Sequence, residues 1–210
     1  MKAHWLLTTA VAALSALLVF LVACWQPVPP PAATTAAHSM PSPATSPPGG
    51  DFSLQGPQGT VALADFRGKV VLIYFGYTSC PDVCPTSLAL LAQALSGLDA
   101  AEREQVQGIF VSLDPDRDSP AVLAQYAPFF HPAIVGLRGT PTQIATLAGQ
   151  YGVSYRKQQA NAEGQYTVDH SSETYLVNRH GKLSTRLPHA SPASEILAAI
   201  RQQLAPRDSR

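Results

Sequence analysis

Six consecutive residues, Val70-Val71-Leu72-Ile73-Tyr74-Phe75, are apolar or aromatic, with Gly68 and Gly76 close to either end. The run is too short for a helix that crosses a domain, and it is rich in β-branched and aromatic side chains. Side chains on a strand alternate between two faces, so a strand apolar at every position must be covered on both. This run therefore predicts a central buried strand.

The segments around it follow a strand–helix rhythm. Phe52-Ser53-Leu54 and Thr60-Val61-Ala62-Leu63 flank Gly56 and Gly59 and predict a short hairpin. Leu88, Leu91, Leu95 and Leu98 fall on one helical face, with Gly97 near the helix end. Gly108 to Leu113 predicts a second buried strand. Ser119-Pro120 combines an N-cap residue with proline at the first helical position and opens a helix to about Phe129. Ala133 to Leu137 predicts a short strand, and Thr140-Pro141 opens another helix, to Gln150. Val153 to Arg156 and Tyr166 to Val168 are strand-like around a polar loop. Thr174 to Val177 and Lys182 to Leu187 form a hairpin turning at Asn178 to Gly181, and Ser191-Pro192 starts the last helix. This order predicts an α/β domain: a mixed central sheet with helices on both faces and an N-terminal β-hairpin.

Ahead of the domain the composition changes twice. Trp5 to Ala23 is apolar except for Thr8, Thr9 and Ser15, and Lys2 precedes it. Such a stretch is an export signal or an N-terminal membrane helix. Leu21-Val22-Ala23-Cys24 resembles a bacterial lipoprotein box, which predicts lipidation of Cys24; an uncleaved helical anchor is the alternative. Both place the domain outside a membrane. Gln26 to Gly50 is rich in Pro, Ala, Ser and Thr and cannot bury enough apolar surface to offset ordering, so it reads as a flexible tether. His38 and Met40 lie within it and read as tether residues. The expected organisation is an anchor segment at 1–24, a tether at 25–50, the folded domain at 51–205 and a tail at 206–210. With 14 basic and 14 acidic residues and no basic run, the chain lacks the electrostatic footprint of a nucleic-acid binder.

The chemistry gathers at Thr78-Ser79-Cys80-Pro81-Asp82-Val83-Cys84-Pro85, directly after the central strand. In open α/β sheets, ligands bind at the carboxyl ends of strands. Two cysteines with three residues between them share a face if they lie on a helical first turn. There the helix N-terminus favours the thiolate, which is both nucleophile and metal ligand. Three readings fit the pair alone. One is a stable disulfide, which closes so short a loop that it stabilises little. Another is a redox-active dithiol, although the familiar motif has two intervening residues. The third is a metal site, for which thiolates select soft ions such as Cu(I). A third ligand would come from a histidine near a strand end. His170, in Val168-Asp169-His170-Ser171, is the candidate. His131, His180 and His189 read as ordinary exposed residues.

Taken together, Gly68-Lys69, Tyr74 to Pro85, Ser112-Leu113-Asp114-Pro115-Asp116-Arg117-Asp118, Val135 to Thr140 and Val168-Asp169-His170 resemble the signature of the Sco/SenC copper proteins. The resemblance runs from about residue 50 to 204, with the motifs in order. It implies a thioredoxin-like fold, tethered in the periplasm or an equivalent extracytoplasmic space. It also implies one copper ion, Cu(I) or Cu(II), bound by Cys80, Cys84 and His170. Asp114 and Asp118 become loop and helix-cap residues near the site. Relatives of this kind assist assembly of the copper centre of cytochrome c oxidase. The implied partners are the copper-binding subunit of that oxidase and other periplasmic copper chaperones or thiol reductants. Some members deliver copper and others reduce the oxidase cysteines, so a thiol-disulfide reductase is the alternative to a metallochaperone. The sequence departs from the pattern at Ser171-Ser172-Glu173, where a charged residue follows the histidine closely.

Overall fold

The computed structural model describes residues 48–205 together with Phe20. Cys24, the rest of the apolar N-terminal segment, the tether as far as residue 47 and the tail from 206 lie outside the described residues. Every element below belongs to the compact unit of residues 44–210.

The apolar run forms β3 (Val70–Gly76), buried at all seven positions. Val70, Leu72 and Tyr74 enter one apolar cluster, and Val71, Ile73 and Phe75 enter another on the opposite face. The five-stranded sheet has the order β5-β4-β3-β8-β9. β4 (Val106–Ser112) and β5 (Ile134–Leu137) run parallel to β3, while β8 (Thr174–Val177) and β9 (Leu183–Leu187) form an antiparallel hairpin on its other edge. On one face, α1 (Val83–Ser96), α3 (Pro120–Phe130) and α5 (Ala193–Leu204) contribute Leu88, Leu91, Leu123, Ile196 and Ile200 to the first cluster. On the other, α4 (Pro141–Tyr151) contributes Ile144, Leu147 and Tyr151, joined by Leu54 from the hairpin of β1 (Ser53–Gly56) and β2 (Gly59–Ala62). The mixed sheet, the helices on both faces and the N-terminal hairpin are those expected from the sequence.

The helix starts follow their capping chemistry. Ser119 Oγ accepts the Val122 N–H, and Thr140 and Gln143 satisfy each other's backbone N–H groups in a capping box. α4 ends at Gly152, whose φ of 69° lies in the left-handed region that glycine enters without steric cost. The last helix differs from expectation by one residue. Pro192, not Ser191, occupies the N-cap, and the Ser191 hydroxyl donates to Pro188 O at 2.9 Å instead. A short helix, α2 (Ala100–Glu104), was not anticipated, although Asp99 and Glu102 carry the capping-box spacing that starts it.

The strands β6 (Tyr155–Lys157) and β7 (Val168–His170) form a separate antiparallel pair. Both begin two residues further along the chain than predicted. Val153 is used elsewhere: its N–H closes α4 onto Ala148 O at 2.8 Å, and its side chain joins the second apolar cluster. The shift puts His170 inside the last position of a strand, opposite Tyr155.

α2 and α5 are joined by Arg201, which donates to both Glu102 carboxylate oxygens at 2.7 and 3.0 Å. That guanidinium, helped by the Asp99 N–H, holds the Glu102 carboxyl down at about 2, against an ordinary 4.5. A depressed carboxyl stabilises the fold above its unfolded pKa and loses that contribution as pH falls through the folded value. Glu102→Gln is therefore expected to lower stability to urea at pH 7, with the difference from the parent shrinking between pH 4.5 and 2. Urea titrations across that range check it, and a difference that stays constant with pH would contradict it.

Candidate metal centre

β3 ends at Gly76, and α1 does not begin until Val83. Cys80 therefore lies in the connecting loop, its N–H donating to Tyr77 O at 3.2 Å, and only Cys84 is in the first helical turn. The expectation that both thiols occupy one helical turn is corrected here. Pro81 breaks the backward extension of the helix, because the residue before a proline is steered out of helical geometry. Pro85 fits inside the first turn, where its missing N–H would have no partner anyway. The loop, not a helical repeat, brings the two sulfurs together. They are not bonded to each other.

His170 comes from β7, outside the main sheet, and its Nε2 is 3.4 Å from Cys84 Sγ. Its Nδ1 is 2.8 Å from Ser171 O. A carbonyl only accepts, so Nδ1 carries the hydrogen and Nε2 turns its lone pair toward the sulfur. The rings of Tyr74 and Tyr77 stand edge-on to the imidazole, with centroids at 6.4 and 5.9 Å. One donor atom each from Cys80, Cys84 and His170 lies within 4.8 Å of the others, and this is the one such group of metal-binding side chains among the described residues. All three sequence candidates described by the structure thus meet at one point.

The electrostatics differ from the sequence expectation. A helix N-terminus is worth roughly 0.3–1 kcal/mol to a nearby anion. One pKa unit corresponds to about 1.4 kcal/mol. Full burial can shift a group by about 3–5 units the other way. Cys84 is wholly buried. Burial accordingly pushes its thiol far up, the nearby Cys80 adds to this, and hydrogen bonding to Tyr77 backbone only partly opposes it. Burial also pushes His170 down, against the smaller opposing effect of its bond to Ser171. The two groups therefore sit as a neutral thiol and a neutral imidazole. A soft cation entering the site would displace the thiol proton and meet a nitrogen already free to coordinate.

Gly76 was read only as a strand boundary, yet it makes room for the site. A Cβ there would stand 2.7 Å from Cys84 Sγ and 3.0 Å from the Phe110 ring. Tyr77 and Arg117 were also missed as neighbours of the site. Tyr77 lies three residues before Cys80, but its contact with His170, like those of Arg117 with Tyr77 and Tyr166, runs between distant segments. Asp114 and Asp118 are buried and bond to protein groups instead of pointing among the three donors. His180 lies exposed in the β8–β9 turn, as expected, whereas His131 is half-buried at the end of α3, where its Nδ1 accepts the Ala133 N–H at 3.1 Å. His189 is exposed but not isolated: its Nδ1 is 2.9 Å from Ser87 Oγ, on α1 one turn beyond Cys84.

Comparison with known proteins gives a consistent result. The sequence profile described as SCO1/SenC matches residues 41–205. The mitochondrial protein SCO2 homolog of Bos taurus is 40% identical over 158 residues, which cover 74% of this chain and 59% of the bovine protein. This chain thus spans about three fifths of the length of that relative. Among solved structures, apo Sco1 from Thermus thermophilus is 44% identical, with a TM-score of 0.67 over 72% of this chain and 89% of that one. Bradyrhizobium japonicum ScoI with copper bound is 36% identical, with a TM-score of 0.67 over 74% of this chain and 98% of that one. The thioredoxin-like sheet, the paired cysteines after β3 and the histidine at the end of β7 are therefore those of a protein belonging to the SCO1/SenC family.

Proposed function

We propose that this chain is a copper metallochaperone that holds one copper ion on Cys80, Cys84 and His170 and serves assembly of the copper centre of cytochrome c oxidase. The observation that carries the reading is the meeting of two thiols and one correctly oriented imidazole within 4.8 Å. Two soft sulfurs and a nitrogen suit Cu(I) and are tolerated by Cu(II). A structural zinc site would ask for a fourth protein ligand, and the described residues supply three. Copper bound to the similar ScoI from Bradyrhizobium japonicum supports the same reading. In this role Ser171 O fixes the imidazole, Tyr74 and Tyr77 wall the site from water, and Cys80, 9% exposed, is the outermost thiol. The partners would be the copper-binding subunit of the oxidase and other periplasmic copper chaperones or thiol reductants.

A second reading has its own observation. Cys80 and Cys84 are unbonded neighbours, both buried, with Cys80 the more open of the two. Such a dithiol can pass two electrons and two protons to a disulfide on a target protein and close into its own disulfide. The two readings separate on His170. For the chaperone, the reduced full-length chain binds one copper, and His170→Ala alters or abolishes the thiolate-to-Cu(II) charge-transfer band. Cys80→Ser then weakens binding by more than the roughly 10–100-fold typical of changes just outside a metal's ligands. Unchanged affinity in Cys80→Ser would remove the basis of the proposal. No tight copper binding, with thiol-disulfide exchange intact in His170→Ala, would favour the reductase.

Gly76→Ala tests the site without touching a ligand. The added methyl must displace Cys84 Sγ. The expected result is a loss of about 10–100-fold in Cu(I) affinity, measured by competition with a chelator. Overpacking of this kind costs about 1–3 kcal/mol of stability, which thermal unfolding would register. Parent-like affinity would show that the sulfur is free to move.

For the N-terminal segment we propose membrane attachment on the extracytoplasmic side through lipidated Cys24, with an uncleaved helix as the alternative. Mass spectrometry of the chain purified from membranes is expected to show a diacylglyceryl mass on Cys24. An unmodified Cys24 in the membrane fraction would exclude the lipid and leave the helix.

A further inference from the structure

The three ligands come from two separately built pieces. Cys80 and Cys84 belong to the β3–α1 connection, whereas His170 ends β7, whose one strand partner is β6. The loop Asp114–Asp118, which follows β4, touches both. On the thiol side, the Asp118 carboxylate accepts from the Thr78 N–H at 3.1 Å and from the hydroxyls of Thr78 and Ser112, each at 2.6 Å. Thr78 is two residues before Cys80. On the imidazole side, Asp114 accepts the Tyr166 hydroxyl at 2.9 Å and pairs with Arg117. Arg117 donates Nη1 to Tyr166 O at 3.0 Å and lies 3.7 Å from the centre of the Tyr166 ring. Tyr166 is two residues before β7. Lys157, at the end of β6, adds an ion pair to Asp116 at 3.0 Å. Arg117 also lies 5.5 Å from the centre of the Tyr77 ring, which in turn stands against His170.

These bonds are not decorative. Asp118 is fully buried and Asp114 nearly so. A buried carboxylate is tolerated only when its oxygens are satisfied, and charge-assisted hydrogen bonds are about twice as strong as neutral ones. The two aspartates are also rigidly spaced, because the Asp118 N–H donates to Asp114 O at 3.0 Å in a single closed turn. A two-stranded pair with three residues per strand has little stability of its own. The position of His170 therefore depends on what β6 and β7 are fastened to.

We propose that the Asp114–Asp118 loop is a positioning clamp that sets the distance between the thiol pair and the imidazole, with Asp118 and Arg117 as its positioning residues. It decides whether a copper ion meets three donors or two, a consequence that rests on the copper reading given above. Neither residue is a ligand; each acts through the segment it holds.

The test uses the full-length chain and two readouts. Tyr166→Phe removes one hydroxyl, Arg117→Met removes the guanidinium, and Thr78→Val removes one grip of Asp118. Without metal, hydrogen–deuterium exchange of amides in 155–170 is expected to rise about tenfold in Tyr166→Phe, the loss of roughly one buried hydrogen bond, while β3 amides keep their protection. Thr78→Val is expected to do the same for 77–80 alone. With Cu(II), the charge-transfer band of Tyr166→Phe and Arg117→Met should move toward that of His170→Ala. Unchanged exchange at 155–170 would overturn the clamp. So would a uniform rise that includes β3, or faster exchange with a parent-like band. If Arg117→Met fails to fold, Tyr166→Phe still decides. Should the parent bind no copper while the exchange pattern appears as stated, the copper reading fails and the clamp stands.

Discussion

Because β3 is enclosed on both faces, its backbone has no water to turn to, and every N–H and C=O must find a partner along its two edges. β4 and β8 supply those partners, one parallel and one antiparallel. The parallel neighbour needs a long crossover, which is where α1 arises, whereas the antiparallel neighbour β8 comes from far along the chain and turns back through a hairpin into β9. The same pairing places Gly76 opposite Ser112, so that β3 and β4 end side by side. One end leads into the cysteine loop and the other into the acidic loop. The chemistry of this chain sits where it does because two buried strands stop together.

Around that edge the protein trades charge for order. The unloaded thiol of Cys84 and the imidazole of His170 are neutral because burial penalises their charged forms. The charged groups nearby, Asp114, Arg117 and Asp118, are spent on holding backbone in place. The imidazole nitrogen is thereby free to coordinate, while the Cys84 thiol must give up its proton as a cation binds. Keeping formal charge on the scaffold fixes where those atoms stand.

Much of this was legible in the amino-acid sequence, for identifiable reasons. β3 announces itself by being apolar at every position, and α3 and α4 by Ser119-Pro120 and Thr140-Pro141, which are local signals with local causes. The capping pair Asp99 and Glu102 was equally readable, and α2 could have been found from it. The cysteine pair and His170 were assigned through a family resemblance, since spacing left several chemistries open. What stayed hidden depends on segments far apart in the chain. The loop position of Cys80 follows from Pro81 and from where α1 chooses to start. The raised Cys84 thiol follows from packing by residues of several elements, which outweighs the helix end that the sequence does display. The two-residue shift of β6 and β7 follows from Val153 being drawn into the core and Tyr166 onto Arg117.

Cys84 is packed as a core side chain, lodged in the space that Gly76 leaves beside Phe110. Its sulfur is thus held by apolar neighbours before any ion arrives. Small zinc domains are different: their ligands converge only when the metal pulls them together, and chelation unfolds them. Here the place of the Cys84 sulfur is inherited from the hydrophobic core, and the core does not borrow its cohesion from the ion. A protein built this way can be emptied by a competing ligand and refilled many times without passing through an unfolded state.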